Sequence, residues 1–198
     1  MMEVKPVVLT GRFVRLEPMT EAHIPALAEI GVGQDFWHFM LYGEMQKEAD
    51  MRVWVKDILS RVNDLPFVAL HLESGRVAGA TRYLNIMPKD RGLEVGGTWY
   101  GPEFRRTAVN TECKYLLLKH AFETLGAIRV QLKTDSRNVR SQKAIERIGG
   151  VKEGVFRNHM ILPDGTIRHS VFYSILDSEW EGVKKRLEEM MRKYEAGS

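Results

Sequence analysis

The chain has 198 residues, 44% hydrophobic and 28% charged, enough apolar material for a sizeable core and too much for a disordered polymer. Its single cysteine, Cys113, excludes an internal disulfide framework and a four-cysteine zinc site. A net charge of +3 and a pI near 9.0 suit an anionic small ligand or RNA and decide for neither.

No signal-peptide pattern and no apolar run near ~18 residues occurs, so the expectation is a soluble, cytoplasmic protein with no membrane partner. No repeat, low-complexity tract or linker is present, and a single domain over residues 1–198 is expected. The run GRFVRLEPM alternates apolar and charged residues and predicts a strand near 12–17. TEAHIPALAEIG has a capping Thr20, helical apolar spacing and a stopping Gly31. DFWHFMLYG, residues 35–43, is aromatic and irregular, and 47–62 is an amphipathic helix. PFVALHLE and RVAGATRYLNI read as two strands joined at Ser74-Gly75, a hairpin signal.

LEVGGTWYG, residues 93–101, is a further strand, and Gly96-Gly97 inside it marks a bulge. A helix follows at 108–125, with Leu117, Leu118, Ala121, Phe122 and Leu125 on one face and Glu112, Lys119 and Glu123 on another. AIRVQLKTD is a strand at 127–135, and NVRSQKAIERIGG is a short helix ending in glycine. Two more strands flank Pro163-Asp164-Gly165, and a charged helix closes the chain at about 178–194. Strand 93–101, helix 108–125 and strand 127–135 form a βαβ unit, so a mixed α/β sheet is expected. The turn RRTAVNTE, residues 105–112, lies after a strand and opens a helix, where such folds bind phosphate. It carries no glycine.

The stretch LEVGGTWYGPEFRRTAVNTE, the later NVRSQKAIERIGGVKEG and the supporting DGTIRHSVFYSILDSEW together resemble the GNAT superfamily of acyl-CoA-dependent N-acetyltransferases. Within it, the chain resembles the RimJ/RimL-type branch, which includes ribosomal-protein N-terminal acetyltransferases; the likeness runs from about Leu9 to Trp180. The resemblance implies a mostly antiparallel central sheet splayed between strands 93–101 and 127–135. It also implies acetyl-CoA as cosubstrate and a primary amine as acceptor.

In that family the turn after the fourth strand has a Gln/Arg-x-x-Gly-x-Gly/Ala pattern whose amides grip the CoA pyrophosphate. Here the six positions are Arg105, Arg106, Thr107, Ala108, Val109 and Asn110, followed by Thr111. Ala108 and Asn110 depart from the pattern. A first-turn helical position has negative φ and does not require glycine, and asparagine is a favoured cap. The expectation is that the turn still holds the cofactor, helped by charge-assisted bonds from Arg105 and Arg106.

Transfer from a thioester to an amine needs a neutral amine, a polarised carbonyl and a protonated leaving thiolate. An α-amino group (pKa ~7.7–8.0) is easier to supply neutral than a lysine (~10.4). Glu94, before the Gly-Gly break, matches the strand that often bears the family's catalytic glutamate and is the candidate base, with a solvent-facing strand glutamate as the alternative. Backbone N–H groups near Thr98, Trp99 and Tyr100 would polarise the carbonyl. Asn138 and Ser141 match the family's Asn-x-x-Ser pair, with Asn138 near the pantetheine and Ser141 placed to protonate the thiolate; Asn138 is equally a fitting helix cap. Tyr100 and Tyr173 are alternative proton donors. Trp37, His38 and Tyr42, with Phe36 and Phe39, are candidates for the acceptor pocket, against a reading as satellite core.

Other classes fare worse. Six histidines occur without H-E-x-x-H or Cys/His ligand spacing, so no metal is expected. Arg105, Arg106, Arg137, Arg140, Lys143 and Arg147 would serve an RNA surface, but no aromatic platform accompanies them. A non-catalytic acyl-CoA sensor on the same fold is a further alternative. The expected acceptor is a protein or peptide α-amino group, by branch resemblance; the runner-up is a small-molecule amine such as a polyamine or aminoglycoside. The C-terminal helix serves either a homodimer or as a cap on the fold.

Overall fold

Two-residue alternation builds the sheet. In the strand Leu65–His71, Phe67 and Ala69 face one side and Val68 the other, as in a strand buried on both faces. The computed structural model describes residues 2–195. Its eight strands are β1 (Leu9–Thr10), β2 (Val14–Pro18), β3 (Leu65–His71), β4 (Val77–Met87), β5 (Gly92–Tyr100), β6 (Arg129–Asp135), β7 (Val151–Ile161) and β8 (Ile167–Leu176). They form one sheet in the order β1-β2-β3-β4-β5-β6-β8-β7. Every neighbouring pair is antiparallel except β5–β6, the parallel pair of the expected βαβ unit.

Five helices cover the sheet: α1 (Ile24–Gly31), α2 (Glu48–Leu59), α3 (Ala108–Lys119), α4 (Val139–Arg147) and α5 (Trp180–Glu195). On one face, α3 and α5 bury Val109, Cys113, Leu117, Leu118, Val183 and Leu187 against Leu16, Phe67, Tyr83 and Val95. On the other, α1 and α2 enclose Ile24, Leu27, Trp54 and Ile58 with Val68 and Trp99. The first expected helix begins as a 3-10 turn, Glu21–His23, because Pro25 sits at the start of α1, where its missing N–H costs nothing. The helix expected over 108–125 stays α-helical to Lys119 and finishes as a π-helical turn, His120–Thr124. The two-residue β1 is too short for a periodic signal.

Glu112, set apart from the apolar stripe of α3, is nonetheless only 4% exposed. Its carboxylate accepts the backbone N–H groups of Arg12 (2.8 Å), Phe13 (2.6 Å) and Val14 (2.7 Å). The charge is tolerated because three backbone dipoles meet it. It ties the start of α3 to the β1–β2 connection.

α5 lies along α3. Trp180 Nε1 donates to Glu123 (2.9 Å), which also pairs with Lys184 (2.7 Å), and the Tyr115 hydroxyl donates to Glu188 (3.1 Å). The helix is therefore tied to α3 and to the turn that follows it. Among the described residues no helix is long and apolar enough to cross a membrane.

Candidate active site

The β5–β6 ladder is short. It joins Gly92 to Arg129, Leu93 to Val130 and Glu94 to Gln131, and there it ends. Just beyond, Gly97 has φ +57, and a Cβ on it would come within 2.8 Å of Arg82 Nε. The pairing with β4 slips a register between Ala80 and Arg82. This is the bulge that the Gly-Gly pair predicts, and it leaves the stretch 95–100 of β5 without a β6 partner. A cleft opens at Glu94.

Glu94 sits at the closed end of that cleft and is 2% exposed, which removes the solvent-facing reading. Its Oε2 accepts three bonds, from Asn85 Nδ2 (2.9 Å), Gln131 Nε2 (2.9 Å) and Lys133 Nζ (3.0 Å). A buried carboxylate needs such compensation. Oε1 lies beside Gly96, where a Cβ would approach it to 3.2 Å. One oxygen is therefore committed to anchoring the side chain. A carboxylate held this way has a fixed orientation before any substrate arrives.

The turn 105–110 follows the unpaired stretch of β5 and leads into α3. Thr107 is the N-cap of α3, its hydroxyl accepting the Val109 N–H at 3.3 Å. The neighbouring first-turn amides are the orphan donors of a helix N-terminus. Arg106 is exposed, has φ +63 and has no partner among the described residues. Thr111 is fully buried with its hydroxyl unpaired. Free amides, a free guanidinium and an orphaned hydroxyl fit a diphosphate group. Arg105 does not join them: it turns back to Tyr100 O (3.2 Å), Gln34 Oε1 (3.4 Å) and Asp35 (3.6 Å), over the Phe36 ring. Ala108 and Val109 are buried within α3, so they contribute backbone alone.

Across the cleft, Asn138 caps α4, its Oδ1 accepting the Ser141 N–H at 3.0 Å. The cap reading therefore holds, and it also fixes Ser141 in the first turn. Tyr173, a candidate proton donor, is fully buried and its hydroxyl donates to Glu146 (3.0 Å). Burial and that carboxylate push its pKa up to about 12, and its proton is already engaged by Glu146. Tyr100 is buried beside Cys113, which raises its pKa well above the ordinary value, burial being the larger cause. Burial likewise pushes the Cys113 thiol up to about 12, an inert packing residue. The Trp99 side chain packs with Trp54 on the α1–α2 face, so only its backbone reaches the cleft.

The residues expected to wall an acceptor pocket are not brought together. Trp37, expected on a pocket wall, is instead 0% exposed, its Nε1 donating to Gly31 O (2.7 Å) among Phe36, Trp54 and Trp99. That is core packing, as aromatic rings between two helices usually are. His38 is exposed against Phe39 and makes no contact with Glu94. Tyr42 does approach the site, its hydroxyl accepting from Arg82 (3.1 Å), which also pairs with buried Asp64 (3.4 Å). Arg168 is 7% exposed, donating to Ser170 Oγ (3.0 Å) and Phe39 O (3.3 Å). His159 Nδ1 meets the same serine at 2.9 Å. Burial and the charges of Lys133 and Arg168 lower the His159 pKa, leaving a neutral imidazole. It lines a cavity of about 690 Å³ with Phe156, Arg157, Asn158 and His169.

Sequence reasoning missed the three residues that hold Glu94. Gln131 and Lys133 alternate with buried Val130 and Leu132 on β6, a polar face in the middle of a sheet that was the available signal. Among the described residues no group of three or more metal-binding side chains gathers.

A parallel strand pair that opens at a buried glutamate, beside a helix start built for an anion, defines an acyltransferase cleft. Residues 14–151 match the Acetyltransferase (GNAT) domain, and the chain belongs to that family. Acetyl-CoA is the acyl donor that acetyltransferases of this family use. A curated relative, the "Putative ribosomal N-acetyltransferase YdaF" of Bacillus subtilis (strain 168), is 33% identical over 113 residues, 57% of this chain and 61% of that protein. The match thus spans about three fifths of that relative's length. A solved "putative acetyltransferase from T. thermophilus" is 39% identical, with 96% of this chain and 99% of that one covered and a TM-score of 0.88. A GCN5-related N-acetyltransferase from Brucella melitensis is 28% identical, covering 95% and 86%, with a TM-score of 0.90.

Proposed function

We propose that the chain acts as one catalytic domain that acetylates the α-amino group of a protein or peptide, with acetyl-CoA as donor. The observation that carries the proposal is Glu94: buried, with one oxygen held by three donors and the other beside Gly96, where β5 and β6 part. In this reading Arg106, Thr111 and the first-turn amides of α3, Ala108 and Asn110 among them, hold the diphosphate. Bound there, acetyl-CoA supplies a thioester carbonyl. The backbone at Thr98, Trp99 and Tyr100 donates to its developing oxyanion. Glu94 Oε1 takes the amine proton, directly or through one water, as the C–N bond forms. Ser141 protonates the thiolate as the C–S bond breaks.

Two features favour an α-amine over a polyamine. With a pKa of ~7.7–8.0 it is partly neutral at physiological pH, which one carboxylate base can exploit. The acceptor face also carries Lys133 and Arg168 close to Glu94, which disfavours a polycation. The YdaF name points the same way.

The test is a steady-state assay with acetyl-CoA against free-N-terminal peptides, the same peptides blocked at the N-terminus but carrying lysine, and spermidine. Turnover confined to free N-termini, with Glu94→Gln lowering kcat about 10²–10⁴-fold and acetyl-CoA binding retained, is expected. Preference for spermidine would replace the acceptor. Tight acetyl-CoA binding with no turnover on any amine would make the protein a sensor.

A further inference from the structure

Lys114 is unusual for its position. It lies on the inner side of α3, 7% exposed, and its Nζ donates to Thr98 Oγ1 at 2.7 Å. Thr98 Oγ1 is in turn 2.8 Å from Thr81 Oγ1, on β4. An ammonium has three donors, and Thr98 takes one. The groups facing it from α3, β5 and β4 offer no counter-charge. Cys113 and Tyr100 are both neutral, their pKa values raised by burial. Thr98 and Thr81 are hydroxyls, and the Glu112 carboxylate is spent on the amides of residues 12–14. Burial, opposed only in part by Cys113, lowers the Lys114 pKa to about 8. A methionine would fill the same space without that penalty.

The location supplies a reason for the cation. Thr98 stands on the unpaired part of β5, between Glu94 and the 105–110 turn. In the acyl-CoA reading, the thioester arm runs from the diphosphate seat towards Glu94 along this part of β5. One helical turn ahead of Lys114 on the same side of α3 is Thr111, whose buried hydroxyl has no partner. We propose that Lys114 is a positioning residue of the acyl-CoA cleft: it pins the β5 bulge through Thr98, and binding of the anionic cofactor is coupled to protonation of its amine.

This rests on the acyl-CoA reading. The sign follows from charge. Phosphates favour the ammonium over the amine, so the complex has a higher Lys114 pKa than the free protein. Binding then takes up a proton, and affinity falls as pH rises through about 8. A rise of one unit corresponds to a tenfold coupling and an uptake of about 0.4 proton at pH 8.

The experiment is calorimetric titration with acetyl-CoA between pH 7.5 and 9.5, in paired buffers of different ionisation enthalpy. The cofactor's phosphate monoester, with pKa near ~6, is already fully ionised there. Wild type should take up about 0.4 proton at pH 8. Lys114→Met should bind up to about tenfold more weakly at pH 7.5, converge with wild type at pH 9.5, and lose the uptake. Lys114→Arg, always charged, should bind with no uptake and a flat pH profile. Wild-type binding without uptake, or equal uptake in Lys114→Met, overturns the proposal. Should Lys114→Met not fold, the wild-type and Lys114→Arg isotherms decide it. Absence of any acetyl-CoA binding by wild type overturns the cofactor reading, and this inference with it.

Discussion

Replacing Glu112 with alanine should destabilise the protein by about 3 kcal/mol, although the residue touches no substrate. The figure follows from where its three bonds end. Val14 is fully buried, so its N–H would be left without a partner, at a cost of about 1–3 kcal/mol. Arg12 is exposed and Phe13 half-buried, so water can replace the carboxylate there and each loss is nearer ~0.5–1 kcal/mol. Relief of the carboxylate's own desolvation offsets part of the sum. For a chain of this size the melting temperature should fall by roughly 6–12 °C. Equilibrium urea unfolding should show a lower midpoint at unchanged m-value. Gly11 provides the cross-check, because a Cβ there would run into the Glu112 carboxyl group. Gly11→Ala should therefore be costly in wild type and nearly neutral beside Glu112→Ala, a coupling that a double-mutant cycle measures. A loss below about 0.5 kcal/mol for Glu112→Ala, or strict additivity with Gly11→Ala, would refute the reasoning.

Trp37→Leu should cost about 2–4 kcal/mol by opening the Trp54–Trp99 cluster, with KM for the acceptor unchanged; a selective rise in KM would return Trp37 to the pocket wall. The Arg129 hydrogen bond holds the Glu153 carboxyl down to about 2, below its unfolded value of ~4.3. Its contribution is therefore present above ~4.3 and lost as pH falls towards 2, and because both side chains are about a third exposed it should be small. Glu153→Gln should flatten the acid limb of the stability curve between those values, and an unchanged limb would dismiss the pair. In the 105–110 turn, Arg106→Gly should hold or slightly raise thermal stability by relieving φ +63 while weakening acetyl-CoA binding, whereas Ala108→Gly should lose about 0.5–1 kcal/mol. Calorimetry with the cofactor and thermal melts separate these two effects, and equal affinity for wild type and Arg106→Gly would remove Arg106 from the seat.

Much of the architecture was legible because it depends on local rules. Alternation marked the strands, Gly96-Gly97 marked the bulge, and Asn138 marked the start of α4, each decided within a few residues. The misplaced residues depend on distant ones. Glu112 reads only as a charge apart from the apolar stripe until its partners arrive from residues 12–14, about a hundred positions earlier. Trp37 fits a pocket wall or a core equally well until α1, α2 and β5 close around it. Arg105 matches a phosphate contact in sequence, yet Tyr100 O, Gln34 and the Phe36 face claim it first. Lys133 and Gln131 become the supports of Glu94 only because β6 pairs beside it at that register.

The missing glycines of the turn have a physical explanation in the same geometry. A loop that presents amides to an anion needs one residue in the left-handed region and a clear approach for the ligand. Here the left-handed residue is Arg106, ahead of the Thr107 cap, and not either of the positions where the family pattern places glycine. Ala108 and Asn110 belong to the first turn of α3, where ordinary helical angles suffice and glycine would only add unfolded-state entropy. The Ala108 methyl is buried against the fold and so does not stand in the ligand's path. The strain moves to an exposed arginine whose guanidinium is otherwise unpaired, a position where positive charge favours the diphosphate. Loss of glycine from the motif is thus compatible with a working seat, because a left-handed backbone conformation is held two residues earlier in the chain, at Arg106.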